Sequence, residues 1–302
     1  MARSRSKGLR DSQFDRRFQI VNVSLLAVFA LIVLYPLVFV ASASVSSGEA
    51  IAGGKVVLWP VGFNIDAYRV VMESPRLVRS IVNSLGYTVS GALVATSLTV
   101  LAGYVLSRES LPFRRILTFV FLLPALVSGG IIPTYLVVRQ LGLLNTPLAV
   151  IIPGAVNVFL VIITRTFYQM SIPRELVDSA QVDGASDLRF FWSIGLPLSK
   201  PIIAVLLLFY GVGQWNGWFN AFLYLNNADL YPVQLVLREI LTQNQIDPSQ
   251  IGSMDLTELR TKKELFDKLK YALIVIAMLP PLIAYPFVQK HFVKGVLIGS
   301  VK

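Results

Sequence analysis

The 302-residue sequence has no cysteine and a single histidine, His291. The first absence excludes disulfides, thiolate metal sites and cysteine nucleophiles, and the second leaves no histidine cluster to hold a metal. Charge is scarce too, at 15% of residues against about a quarter in soluble domains. The shortage is concentrated in six apolar stretches: Ile20–Ala43, Ile81–Leu106, Ile116–Val138, Pro147–Thr164, Pro201–Leu225 and Tyr271–Val288. None of them contains Asp, Glu, Lys, Arg or His. With 55% hydrophobic residues and a mean hydropathy of +0.66, this is a bilayer composition, which disfavours disorder, a coiled coil and a soluble enzyme core together.

The expected fold is therefore all-α and integral to a membrane, with six transmembrane helices. Ile20–Ala43 is longer than a signal-peptide core and reads as a retained helix, although Ala41-Ser42-Ala43 looks like a cleavage site. Six spans put both termini on one side, with the loops Ser107–Arg115 and Arg165–Lys200. That side holds 16 basic and 7 acidic residues, a net +9, against 11 and 10, a net +1, on the other. Basic excess marks the cytoplasmic side, and residues flanking spans explain the charge without nucleic acid. On the outer side, Val233, Val236, Leu237, Ile240 and Leu241 follow Pro232 at helical spacing, predicting a short amphipathic helix that lies on the membrane or meets an external partner.

Missing motifs narrow the energy source. No carboxylate or histidine lies within a span to carry a proton, and Gly53-Gly54-Lys55 lacks the spacing and hydroxyl of a phosphate loop. If ATP drives transport, another chain hydrolyses it. A stand-alone secondary carrier coupled to sodium is the rival reading. A channel or an intramembrane enzyme ranks third, since there is neither a charge ring nor a catalytic pair.

The loop between spans four and five offers a place for a second chain. Ser171 and Pro173 can open a helix whose Leu176, Val177 and Ala180 share one side. Gly184 permits a sharp turn, Ser186 can cap a second helix, and Pro197 starts the return to the membrane. Within span five, a continuous helical wheel gathers Tyr210, Gly213, Asn216, Gly217, Asn220 and Tyr224 on one arc and places Trp215, Trp218, Phe219 and Phe222 opposite. The first arc is either a path for a hydroxyl-rich solute or a small-residue helix contact with the tryptophans in lipid. Pro124, Gly129, Gly130 and Pro133 predict an interruption of span three, as a packing kink or as free carbonyls lining a cavity. Asn83 and Asn157 read either as interhelical ties or as ligand contacts.

Asp178-Ser179-Ala180, Gly184, Ile194 and Leu196-Pro197 have the spacing of the EAA loop and resemble the signature of binding-protein-dependent ABC importer permeases, with Asp178 where Glu is usual and Ser179 in place of the first Ala. Asn83-Ser84-Leu85, Ile172-Pro173-Arg174-Glu175-Leu176, Val182-Asp183-Gly184-Ala185 and Leu196-Pro197-Leu198-Ser199-Lys200-Pro201 look like the maltose-type carbohydrate permeases. Gln214 to Phe222, Tyr231 to Leu235 and Lys294 to Ser300 resemble the subgroup associated with alginate and pectin fragments. The resemblance implies a six-span permease domain over 20–290, a cytoplasmic coupling loop at 171–197, an external loop at 226–270, and cytoplasmic tails at 1–19 and 291–302. It implies a bacterial inner membrane location and an oligosaccharide cargo. The implied partners are a second homologous permease, a cytosolic ATPase dimer carrying ATP and Mg, and an extracytoplasmic sugar-binding protein. No cofactor or catalysis is expected on this chain. The implied coupling residues are Glu175, Asp178, Ser179, Ala180, Asp183, Gly184, Ile194, Leu196 and Pro197; the implied path residues are Tyr210, Asn216, Asn220 and Tyr224.

Overall fold

The computed structural model describes residues 13–127, 129–243 and 266–286, and among these the regular elements are all helical. They fall into two compact units, Met1–Arg69 with Asp247–Val275, and Val70–Ile246 with Ile276–Lys302. In the first, helix α1 (Gln13–Ser44) exposes apolar side chains along most of its length, as a lipid-facing helix does. Its carboxyl end and the chain beyond it, including the short α2 (Gly48–Ala52), are tied by serine hydroxyls. Ser42 donates to the Leu58 carbonyl at 2.6 Å, and the Val61 amide donates to Ser46 at 3.1 Å. Ala43, Ala50 and Val56 form a small core there, with Phe39 edge-on to Tyr271 at 5.9 Å. The helix α3 (Asp66–Glu73) follows.

The second unit is built around α4 (Pro75–Ser107), which starts with Ser74 capping the Leu77 amide and Pro75 in the first turn. Gly91, Ala95, Thr99 and Gly103 recur every four residues on α4, a small stripe that lets neighbours approach closely. A Cβ on Gly91 would lie 3.1 Å from the Gln214 side chain, and one on Gly103 would lie 2.6 Å from Thr164. The stripe therefore seats α12 (Lys200–Asn216) near its start and α8 (Val158–Ser171) near its end.

Three of the six expected spans are not single helices. The third is split into α5 (Arg114–Leu126) and α6 (Ile131–Gln140), with Gly130 at φ 79° between them. The fourth is α7 (Pro147–Ile151), an irregular stretch through Pro153 and Gly154, and then α8. The fifth stops at Gly217 and resumes as α13 (Phe219–Tyr224). By length and apolarity, three of the described helices suffice to cross a membrane: α1, α4 and α15 (Phe266–Pro286).

The expected amphipathic helix is present as α14 (Val233–Gln243), with most of its apolar face seated within the chain and Leu241 left exposed. Val233, Val236 and Leu237 are buried, and α14 packs on α4. Polar ties hold this end: Ser84 accepts from the Val233 amide at 2.7 Å, Asn83 donates to the Asp229 carbonyl at 2.7 Å, and Arg76 pairs with Glu239 at 2.7 Å.

Candidate functional site

Two places in the second unit combine irregular backbone with polar side chains. The first is a cavity of about 380 Å³ between the interrupted fourth and fifth segments, lined by Val150, Gly154, Asn157, Phe159, Leu160, Phe209, Tyr210, Gly213, Gln214, Gly217 and Asn220. Proline at 153 denies the chain a helical amide, so α8 begins again only where the Asn157 side chain accepts from the Leu160 amide at 3.2 Å. On the facing segment, α12 ends at Gly217, whose amide turns back to the Gln214 carbonyl at 3.2 Å. Irregular backbone at membrane depth is tolerated where protein buries it or where it lines a cavity, and both breaks border the same cavity.

None of the lining side chains is charged at neutral pH. The two asparagines and Gln214 offer amide donors and acceptors, the Phe159, Phe209 and Tyr210 rings offer flat apolar faces, and added Cβ atoms on Gly154 and Gly213 would meet nothing within 4 Å. Such a lining can hydrogen-bond a hydroxyl-rich surface and stack on its C–H faces. The Tyr210 hydroxyl is already engaged, 2.6 Å from Thr99 Oγ1 and accepting from the Asn157 amide at 3.1 Å. It ties three segments together and leaves its ring to the cavity.

The expected path residues separate, and past Gly217 the continuous wheel drawn for span five no longer holds. Tyr210 and Asn220 line the cavity, whereas Asn216 is exposed and donates to the Val212 carbonyl of its own helix at 3.0 Å. Tyr224 is buried against Tyr135, ring centres 6.1 Å apart, and is not among the lining residues. The tryptophans are likewise not simply lipid-facing. Trp215 is buried and donates to the Ala277 carbonyl at 2.9 Å, and the Arg238 guanidinium sits 4.2 Å from the Trp218 ring centre. The pairing of Asn157 with Gln214 is not visible in the sequence, although each lies three residues from a helix-breaking glycine, Gly154 or Gly217.

The second place is the loop after α8. Helix α9 (Arg174–Val182) opens behind Pro173 without a side-chain cap, so Ser171 ends α8 and does not start α9. Ala180 is buried, and Leu176 and Val177 pack on the same core, on the face expected of them. Gly184 turns the chain at φ 76°, and Ser186 caps α10 (Asp187–Phe190) by accepting from the Arg189 amide at 3.3 Å. A π-helical turn, Phe191–Gly195, and α11 (Leu196–Leu198) then meet α12 at a bend of 75°. The Ser199 hydroxyl at the bend is buried, 2.6 Å from the Tyr168 hydroxyl.

This loop is anchored on one side and open on the other. Arg108 pairs with Asp187 at 2.9 Å while lying over the Tyr104 and Phe190 rings, and Arg174 pairs with Glu109. Glu175, Asp178, Ser179, Asp183, Gly184 and Pro197 are exposed, whereas Ile194 and Leu196 are half-buried. Val182, Leu188 and Trp192 are exposed around the turn, 88%, 68% and 60% respectively, an apolar patch that the loop's motif spacing does not reveal. A groove of about 560 Å³, with Asp178, Gln181 and Arg174 in its wall, opens beside α9.

The binding-protein-dependent transport system inner membrane component family matches residues 95–298, across both places. The chain belongs to that family. It is 42% identical, over 95% of its length and 99% of the relative's, to the polygalacturonan/rhamnogalacturonan transport system permease protein YtcP of Bacillus subtilis. A chain in the crystal structure of a bacterial ABC transporter involved in the import of the acidic polysaccharide alginate is 33% identical, superposes with a TM-score of 0.84, and is covered over 99% of its length by 94% of this chain. A chain of the bacterial alginate ABC transporter, in complex with alginate pentasaccharide-bound periplasmic protein, shares the fold at a TM-score of 0.51 and 16% identity, over 91% of this chain and 96% of that one. Membership in a family of ABC importer permeases disfavours the stand-alone carrier.

Proposed function

We propose that this chain is the permease subunit of an ATP-driven, binding-protein-dependent importer of oligosaccharides, and that the cavity between the interrupted fourth and fifth segments is its part of the sugar path. The observation that carries the path assignment is that both breaks border one cavity whose lining is polar but uncharged. Asn157, Gln214 and Asn220 hydrogen-bond sugar hydroxyls there, and the aromatic rings stack on sugar C–H faces. Names of the relatives that speak of galacturonan and alginate support an oligosaccharide cargo.

In this reading the six apolar segments, three of them interrupted, cross a bacterial inner membrane, with the 171–197 loop and both termini in the cytoplasm. Glu175, Asp178 and Asp183, with the apolar turn around Gly184, dock a separate ATPase dimer that binds ATP and Mg. A second permease completes the path, and an extracytoplasmic binding protein delivers the sugar. Closure of the ATPase dimer pushes α9 and α10, and the 75° bend at Ser199 passes that movement to α12, whose far end forms the cavity wall.

The test is reconstitution in proteoliposomes with and without the ATPase and second permease that copurify. Uptake of labelled oligogalacturonides that needs ATP and all partners, and that Gly184→Pro abolishes while the complex still assembles, is the expected result. Uptake by this chain alone on a sodium gradient would establish the rival carrier instead.

A further inference from the structure

The arginines at the loop-bearing end of the second unit are not equivalent. Arg108 has Asp187 and two ring faces, and Arg174 has Glu109. Arg165 has neither. Its Nε, like that of Arg108, is buried without a hydrogen-bond partner, but unlike Arg108 it has no carboxylate paired with it among the described residues. The charge that acts on it has the same sign: Arg114, the first residue of α5, which packs against α8. Burial first, and the Arg114 charge second, lower the pKa of Arg165. Arg114 also has no ion pair among the described residues.

Two like-charged guanidiniums on packed helices, one with a buried unpartnered Nε and neither paired with an acid among the described residues, leave donors that an anion would complete. The surroundings select the kind of anion. No residue of α5 is buried, and Ile116, Phe119, Val120 and Leu123 expose apolar side chains along it, so Arg114 stands at the head of a hydrocarbon-facing helix. Phe113, 76% exposed, precedes it and supplies no side-chain cap to the first turn. An anion there needs acceptor oxygens for planar N–H forks at one end and apolar substance at the other.

We propose that Arg114 and Arg165 bind the phosphate of an anionic phospholipid at the membrane edge, with the lipid's acyl chains lying along α5. The phosphate oxygens take the orphaned Nε–H of Arg165 and screen it from Arg114. The lipid thereby fastens the start of α5 to α8, beside the loop that begins seven residues after Arg165 at Ile172. The site lies apart from the cavity lined by Asn157 and Asn220, so it adds to the transport reading rather than resting on it.

The test uses the full-length chain, with whatever subunits copurify, in nanodiscs of phosphatidylcholine containing increasing phosphatidylglycerol, in phosphate-free buffer, with retained lipid counted by native mass spectrometry. The wild-type protein should retain phosphatidylglycerol over phosphatidylcholine, and Arg165→Gln and Arg114→Gln should each weaken that retention about ten-fold, the scale of losing one charge-assisted contact. Arg114 is only half-buried and has no ion pair among the described residues, so its variant should fold even if Arg165→Gln does not. Arg115→Gln, on the exposed neighbour, should leave retention within about two-fold. Equal retention in the wild type and both glutamine variants would overturn the proposal. So would an equal loss in Arg115→Gln, which would mean diffuse basic attraction, or displacement of the lipid by millimolar inorganic phosphate, which would assign the site to a soluble anion.

Discussion

Helix α4 runs unbroken for 33 residues, whereas the fourth and fifth segments packed on it both break partway along. The difference lies in where the small residues fall. On α4, Gly91 and Gly103 keep helical geometry and spend their missing side chains on close approach to Gln214 and Thr164. In the other two segments, Gly154 and Gly217 sit beside Pro153 and Trp218, leave the helix, and open space instead of closing it. Glycine in a membrane helix thus serves packing in one segment and a cavity in its neighbours, and the surrounding residues decide which.

The comparison breaks most visibly at Gly103. A leucine there would drive into Thr164, so Gly103→Leu should destabilise the protein by roughly 1–3 kcal/mol or more, read as lost yield of folded protein and a lower unfolding temperature in detergent. Tyr210→Phe comes next. It removes the hydroxyl shared by Thr99 and the Asn157 amide, leaves both unpaired, and should cost roughly 1–3 kcal/mol by the same measurement, with rescue absent in Tyr210→Leu. Asn157→Ala loses the cap of α8, worth about 1 kcal/mol, and should also weaken sugar-dependent transport per folded molecule. Gly213→Ala has open space at its Cβ and should stabilise by about 0.5–1 kcal/mol, the opposite sign to Gly103→Leu.

Much of this was legible in the sequence because it rests on short-range chemistry. The apolar stretches needed only composition, and Gly184, Ser186 and the Leu176, Val177 and Ala180 face of α9 needed only local turn and helix rules. The path face needed more. A wheel over Pro201–Leu225 assumes one helix, and a single glycine at 217 resets the phase of everything after it, which is why Tyr224 left the group; Asn216 lies before the break and turns away on α12 itself, its amide spent on the Val212 carbonyl. Asn157 and Gln214 come together only across two segments, a relation no local rule encodes. The apolar face of α14 was visible as a pattern, but its seat on α4 depends on Ser84, Asn83 and Arg76, about 150 residues earlier in the chain.

The absence of cysteine gives the most direct test of the central claim, that the facing breaks in the fourth and fifth segments form the sugar path. Single cysteines at Asn220 and at Asn216 can be introduced one at a time and labelled with a small, membrane-impermeant thiol reagent in the transporting complex, with and without oligosaccharide and ATP. The account predicts that Asn220→Cys is labelled and that the sugar protects it during turnover, while labelling of Asn216→Cys does not change with sugar. Protection at Asn216→Cys with none at Asn220→Cys would place the path on the other side of α12 and contradict the account.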